Sequence, residues 1–232
     1  MIIGLLVTGI VKAGDLYRSS QLMSARIHTK NSPVLNIKGL SYWYEPVLED
    51  SFLTEDGLSG DSIEDGDAIK TWLDQNNLRV KRHNSVQMTA NRQPKYYKDI
   101  FNGIIPALRF DGNDGLVSSN VSITGEDLTI FVVVMRASVV QHSTTLSLYD
   151  ATGFYNSSSA ALRAFWQTSP DYDTRPFRTA SSFPSMTSLS NNIPYIASLY
   201  FDGSDGFYNI NGGSYTSTSS TGQFNPDPSI KS

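Results

Sequence analysis

The chain has no cysteine among its 232 residues. That excludes a disulfide scaffold and a thiolate metal site, without excluding secretion. Histidine is nearly as scarce. The three are His28, His83 and His142, with no zinc-ligand spacing and no Gly-x-Ser-x-Gly elbow beside them. Charged residues make up only 17%, the net charge is -4 and the pI about 5.3. The basic face of a nucleic-acid binder is missing, so no nucleic-acid partner is expected. Residues 1–11 (MIIGLLVTGIV) fall short of the ~20 apolar residues of a spanning helix. Paired acids are missing too. A retaining glycosidase needs two carboxylates about 5–5.5 Å apart, which a strand would supply as acids two or four positions apart. None of the apolar stretches carries such a pair, and the adjacent Glu126 and Asp127 would point to opposite faces.

What is present spells β structure. Aromatic residues reach 11%, and twelve are Tyr. Residues 106–135 read strand, turn, strand, loop, strand. Leu108 and Phe110 alternate with Arg109, and Asp111-Gly112-Asn113-Asp114-Gly115 has the chemistry of a hairpin turn. Residues 128–135 (LTIFVVVM) read as a central strand covered on both faces, with a buried helix segment as the alternative. Further strands are predicted at 144–149, 161–167, 176–180, 195–201 and 206–210. Phe201-Asp202-Gly203-Ser204-Asp205-Gly206 repeats the turn chemistry of residues 110–115. Residues 40–47 (LSYWYEPV) read as a strand with aromatics on both faces. An acid-crowded loop at 49–67 follows, then a strand near 68–73. A basic polar stretch at 78–97 reads as solvated surface or as a ligand rim.

Before residue 31 the pattern is helical. Leu6, Ile10, Ala13, Tyr17, Leu22, Met23 and Ile27 recur at helical spacing, and the first stop is Ser32-Pro33. One helix is predicted from about residue 2 to 30, oily in its first third. A docked amphipathic helix or a cleaved leader would account for it. Residues 2–31 also resemble the second half of a type IV pilin or pseudopilin N-terminal helix. An oily run passes through Gly9, Lys12, Ala13 and Gly14 into a polar amphipathic helix. The resemblance implies a membrane anchor, neighbouring pilin-like helices as partners, and a cell-surface or extracellular location after inner-membrane anchoring. The family's processing site would lie before Met1, so no methylation or peptidase site is carried over.

A second resemblance covers about residues 38–224. Trp72-Leu73-Asp74, Gln93-Pro94-Lys95-Tyr96 and Asn102-Gly103-Ile104 come first, followed by Pro106-Ala107-Leu108-Arg109-Phe110-Asp111-Gly112. Residues 128–134, Phe201-Asp202-Gly203 and Tyr208-Asn209-Ile210-Asn211-Gly212 complete the order. The set is similar to the concanavalin A-like, laminin G-type jelly roll. It implies a mainly β, antiparallel β-sandwich behind one long N-terminal α-helix. The expected organisation is a helix at 1–32, a linker at 33–38, a lectin-like sandwich at 39–225 and a polar tail at 226–232. A closing apolar strand expected after Gly222 is replaced by that tail.

Two ligand chemistries are carried by loop residues. Hard cations such as calcium want several loop oxygens. Asp111, Asn113 and Asp114 offer them, as do Asp202 and Asp205, or Asp61, Asp65 and Asp67; Asp-Gly pairs are equally plain turn formers. Glycans want aromatic faces, and Trp43, Tyr155, Trp166, Tyr172 and Tyr215 are available. Trp72, between apolar neighbours, reads as core. The expectation is a non-enzymatic surface protein whose head binds a glycan or a cell-surface ligand. A structural subunit without ligand and a polysaccharide-active hydrolase are the rivals.

Overall fold

The computed structural model describes residues 2–78, 82–118, 127–137, 144–148, 162–167, 174–178, 190–202 and 206–218; side chains are described except at 2–12, 127, 144–178, 201, 202, 206 and 216–218. The chain is mainly β, with antiparallel sheets and one N-terminal helix. It divides into two compact units, Met1–Ser119 and Asn120–Ser232.

The first unit opens with α1 (Ile2–Lys30), as the periodicity predicts. Ser32 is extended (φ -63°, ψ 140°) because Pro33 disfavours helical backbone before it. His28 and Lys30 sit in the last turn, where the helix dipole favours positive charge. Among the described residues, no helix is long and apolar enough to cross a membrane.

Four short strands follow: β1 (Phe52–Thr54), β2 (Ile69–Trp72), β3 (Ser85–Val86) and, after a two-stranded ribbon, β6 (Val117–Ser118). They pair in the order β1-β2-β3-β6, all antiparallel. The ribbon is β4 (Lys95–Phe101) with β5 (Ile105–Arg109), and an Ala68–Lys95 bridge ties it to the start of β2. Phe52, Ile63 and Ile69 form the core, flanked by Trp72, Tyr96 and Leu108. Phe52 stands 5.4 Å from the ring of Trp72 and 5.6 Å edge-on from that of Tyr96, separations typical of aromatic pairs.

Two expectations are overturned here. Residues 40–45 form no strand. They run as an irregular strap whose backbone bonds go to the Trp72 indole, Asp74, Gln75 and Asn76 rather than to the backbone of a neighbouring strand. Nor does the 111–115 turn join paired strands, since β5 pairs with β4 and β6 with β3. The Gly115 N–H donates to the Arg92 carbonyl at 3.0 Å, and Gln87 Nε2 donates to the Gly115 carbonyl at 2.7 Å. The loop docks on that segment instead of doubling back.

Among the described residues, the second unit holds two sheets. One orders β10 (Thr174–Arg178), β9 (Leu162–Gln167) and β8 (Thr144–Leu148). The other orders β13 (Thr216–Thr218), β12 (Gly206–Ile210), β11 (Pro194–Asp202) and β7 (Asp127–Met135). All but β13, which has no predicted counterpart, match the predicted strands within a few residues. β7 pairs along its whole length with β11. It is covered on one face only: Phe131 is 68% and Val133 58% exposed, while Ala197 and Leu199 of β11 are fully buried. Alternation rules even in this nearly all-apolar strand, since successive side chains point to opposite faces. The repeated Phe-Asp-Gly chemistry is used differently here, because β11 and β12 do pair, Phe201 opposite Gly206.

Candidate functional site

The best-built polar site lies in the first unit, where α1 meets the loop after it. Arg18, Leu22 and Arg26 recur every four residues, so one stripe of α1 faces the head. Arg26 is only 8% exposed, and a buried guanidinium requires partners. It has three. Nε donates to the Val47 carbonyl at 3.1 Å, Nη1 to Glu49 Oε1 at 3.1 Å and Nη2 to Asp61 Oδ1 at 2.6 Å. The Arg26 hydrogen bond holds the Asp61 carboxyl below its usual range. Arg18 makes a second ion pair with Asp99.

Gly60 is what lets the two loop segments meet. Its φ is +58°, and an added Cβ would stand 3.1 Å from the Glu49 carbonyl oxygen. Gly57 has φ +80° with open space around it. Gly60→Ala is therefore expected to destabilise the fold by about 1 kcal/mol more than Gly57→Ala, both sharing the cost of left-handed backbone. Urea denaturation of the two variants measures the difference; equal losses would remove the steric role given to Gly60.

Between Asp15, Arg18 and Ser19 of α1 and Asp61, Tyr96 and Lys98 of the head runs a groove of about 220 Å³. Its charges largely pair: Asp61 with Arg26, Asp99 with Arg18, and Lys98 with Glu64 at 2.7 Å. Burial pushes up the Tyr96 phenol on its floor.

Beneath the strap lies a second polar knot. Asp74 is fully buried. Its Oδ1 accepts the N–H groups of Trp43 and Asn76, both at 3.0 Å, and its Oδ2 accepts that of His83 at 3.1 Å. Asn76 Nδ2 donates to the Leu40 carbonyl at 2.8 Å, and Trp72 Nε1 to that of Glu45 at 3.1 Å. Glu45 is buried and accepts from Val47, Leu48 and the Ser51 hydroxyl, yet burial still raises its carboxyl above the usual range.

The expected glycan residues do not gather in one unit. Trp43 is half-buried in the strap of the first unit, its N–H donating to Asp74 and its carbonyl accepting from Gln75. Tyr215 belongs to the second unit, is 57% exposed, and shares a 3.5 Å hydroxyl contact with Ser198. Trp166 falls in β9 opposite Thr144 and Arg175, with its side chain outside the described residues. Tyr155 and Tyr172 lie outside the described residues.

Four of the carboxylates expected to bind calcium accept hydrogen bonds from nearby backbone N–H groups. Asp111 Oδ1 accepts from the Asn113 N–H at 2.8 Å and Asp114 Oδ2 from that of Asp111 at 3.0 Å. Burial raises the Asp114 carboxyl above its usual range. Asp65 accepts from Lys98 N–H and Asp67 from Glu64 N–H, at 2.7 and 2.8 Å. Among the described residues, no three His, Cys, Asp or Glu converge on a metal position. Asp202 sits in β11 with its side chain outside the described residues, and Asp205 lies outside them altogether.

Sequence reading missed Arg26 and Asp74. The signal for Arg26 was a pair of arginines, Arg18 and Arg26, on the Leu22 stripe of α1, followed by an acid-crowded loop. For Asp74 it was the run Trp72-Leu73-Asp74-Gln75-Asn76, too polar for a strand and too apolar at its start for a surface loop. Comparison with protein families, curated proteins and solved structures finds no match to this chain.

Proposed function

We propose that this chain is a non-enzymatic, pilin-like or pseudopilin-like surface protein. In this reading α1 packs among neighbouring helices, and a laminin G-like jelly-roll head presents loops for adhesion or glycan binding. The observation that carries it is the two-sided helix. Arg18, Leu22 and Arg26 fix one stripe to the head. On the opposite side Leu16, Met23 and Ile27, at one helical stripe, are 73%, 52% and 52% exposed. An apolar stripe held rigidly away from its own head is what side-by-side helix packing needs.

The test keeps the Arg26 contacts and changes only the outer stripe. Each large side chain is worth about 1.5–3 kcal/mol when buried, so Leu16→Ser, Met23→Ser and Ile27→Ser together are expected to weaken self-association at least ~100-fold. Analytical ultracentrifugation of the full chain in detergent and with vesicles measures it. A wild-type chain that stays monomeric under both conditions would sink the proposal.

A purely structural filament or secretion-system subunit is the second reading. The groove is consistent with it, because four of its charged side chains, Arg18, Asp61, Lys98 and Asp99, already have ion-pair partners. A glycan array without binding supports that version, and reducing-sugar release from a polysaccharide would turn the assignment to a hydrolase.

A further inference from the structure

Two Asn-Gly pairs sit in turns of the same design. Asn102 and Gly103 have φ of 55° and 68°, Asn211 and Gly212 of 51° and 73°. Each turn is closed by a 3.1 Å bond across it, from Ile104 N–H to the Phe101 carbonyl and from Gly213 N–H to the Ile210 carbonyl. The asparagine side chains are held differently. Asn211 Oδ1 accepts the Ile196 N–H at 2.8 Å, and the Asn211 N–H returns a bond to the Ile196 carbonyl at 2.8 Å. Among the described residues nothing hydrogen-bonds the Asn102 amide, and both Asn102 and Gly103 are exposed.

We propose that Asn102-Gly103 is a chemical modification site that deamidates in the folded protein, while Asn211-Gly212 is protected. The Gly103 backbone nitrogen attacks Cγ of Asn102. The amide proton passes to hydroxide, a C–N bond forms, and the Cγ–Nδ2 bond breaks as the NH2 group takes a proton from water and leaves as ammonia. Water then opens the resulting succinimide at either carbonyl, giving aspartate or isoaspartate. A glycine after the asparagine leaves the attacking nitrogen unhindered, since it carries no side chain. At Asn211 the same attack must first release the side chain from Ile196.

The product has structural consequences at the ribbon. Isoaspartate lengthens the backbone by one carbon, which breaks the Phe101–Ile105 pairing and the bond that closes the turn. A new negative charge also arrives near Ile104 and Asp99, which line the groove against α1.

The experiment holds the full folded chain at mildly alkaline pH and follows tryptic peptides by mass spectrometry. The peptide spanning residues 99–109 is expected to exchange NH2 for OH about tenfold faster than the one containing Asn211, the factor set by one hydrogen bond. Absence of conversion at Asn102, or equal rates at the two sites, overturns the proposal. In urea the gap is expected to close. A gap that persists there would assign the difference to the residue after glycine, Ile104 against Gly213, and overturn the structural explanation.

Discussion

Asp74→Ala is expected to release the strap at residues 40–45 and to cost the first unit a large share of its stability. The substitution leaves the buried N–H of Asn76 and the half-buried N–H groups of Trp43 and His83 without their acceptor. Each unsatisfied buried group costs about 1–3 kcal/mol, so a loss of roughly 4 kcal/mol is expected after some water enters. That is a large share of the stability of an ordinary domain, about 5–15 kcal/mol. Asp74→Asn is graded. An amide oxygen in the Oδ1 position keeps Trp43 and Asn76 bonded, while its NH2 faces the His83 N–H. A loss of about 1–2 kcal/mol is expected there. Amide hydrogen exchange distinguishes the two, with protection lost at Trp43, Asn76 and His83 in the alanine variant and at His83 alone in the asparagine variant. Native-like protection at all three amides in the alanine variant would show that Asp74 does not organise the strap.

Arg26→Met tests the other buried polar centre. Methionine keeps an apolar stem against Leu22 but removes the donors to Val47, Glu49 and Asp61. The two carboxylates are left in water, with side chains 58% and 75% exposed, so the loss is smaller than for a fully buried pair. About 2–3 kcal/mol is expected, carried mostly by the charged donor to the buried Val47 carbonyl and by the short Asp61 bond. The pH dependence has a definite sign. Asp61 is lowered in the folded state, so its contribution is present above the ordinary carboxylate pKa and fades as pH falls through the lowered value. Glu45 acts oppositely: its raised carboxyl favours the fold at low pH and loses that advantage as pH rises through the raised value. Arg26→Met should therefore flatten the acid loss due to Asp61 and leave the Glu45 trend in place. Denaturant titrations across acidic pH measure both, and an unchanged acid limb would remove Asp61 from the account.

How legible this was in the sequence depends on the range of the forces involved. The end of α1 follows from one local rule, the aversion of the residue before proline to helical backbone, and Ser32 obeys it. β7, β8, β9, β11 and β12 were legible because apolar, β-branched and aromatic runs bounded by Gly, Asp and Asn carry their own signal. The strap at 40–45 was not. Its alternating aromatics imitate a strand, but its hydrogen-bond partners are side chains some thirty residues away, Asp74 and Asn76. The Asp111–Asp114 chemistry also has two local outcomes, a hairpin turn or a loop closed by its own carboxylates, and only packing against Arg92 and Gln87 decides. The aromatic and acidic residues expected to bind glycan or calcium are legible as types. Their grouping is a tertiary property that spacing does not encode.

The Arg26 contacts also impose an order on biosynthesis. Its acceptors Glu49 and Asp61 lie 23 and 35 residues further along the chain. While a ribosome has released only α1, the guanidinium has no protein partner and must stay hydrated. The helix can be aimed relative to its head only after the loop carrying Asp61 has emerged. The orientation of α1 on the rest of its unit is therefore a late event in synthesis, set by residues that leave the ribosome well after the helix is complete.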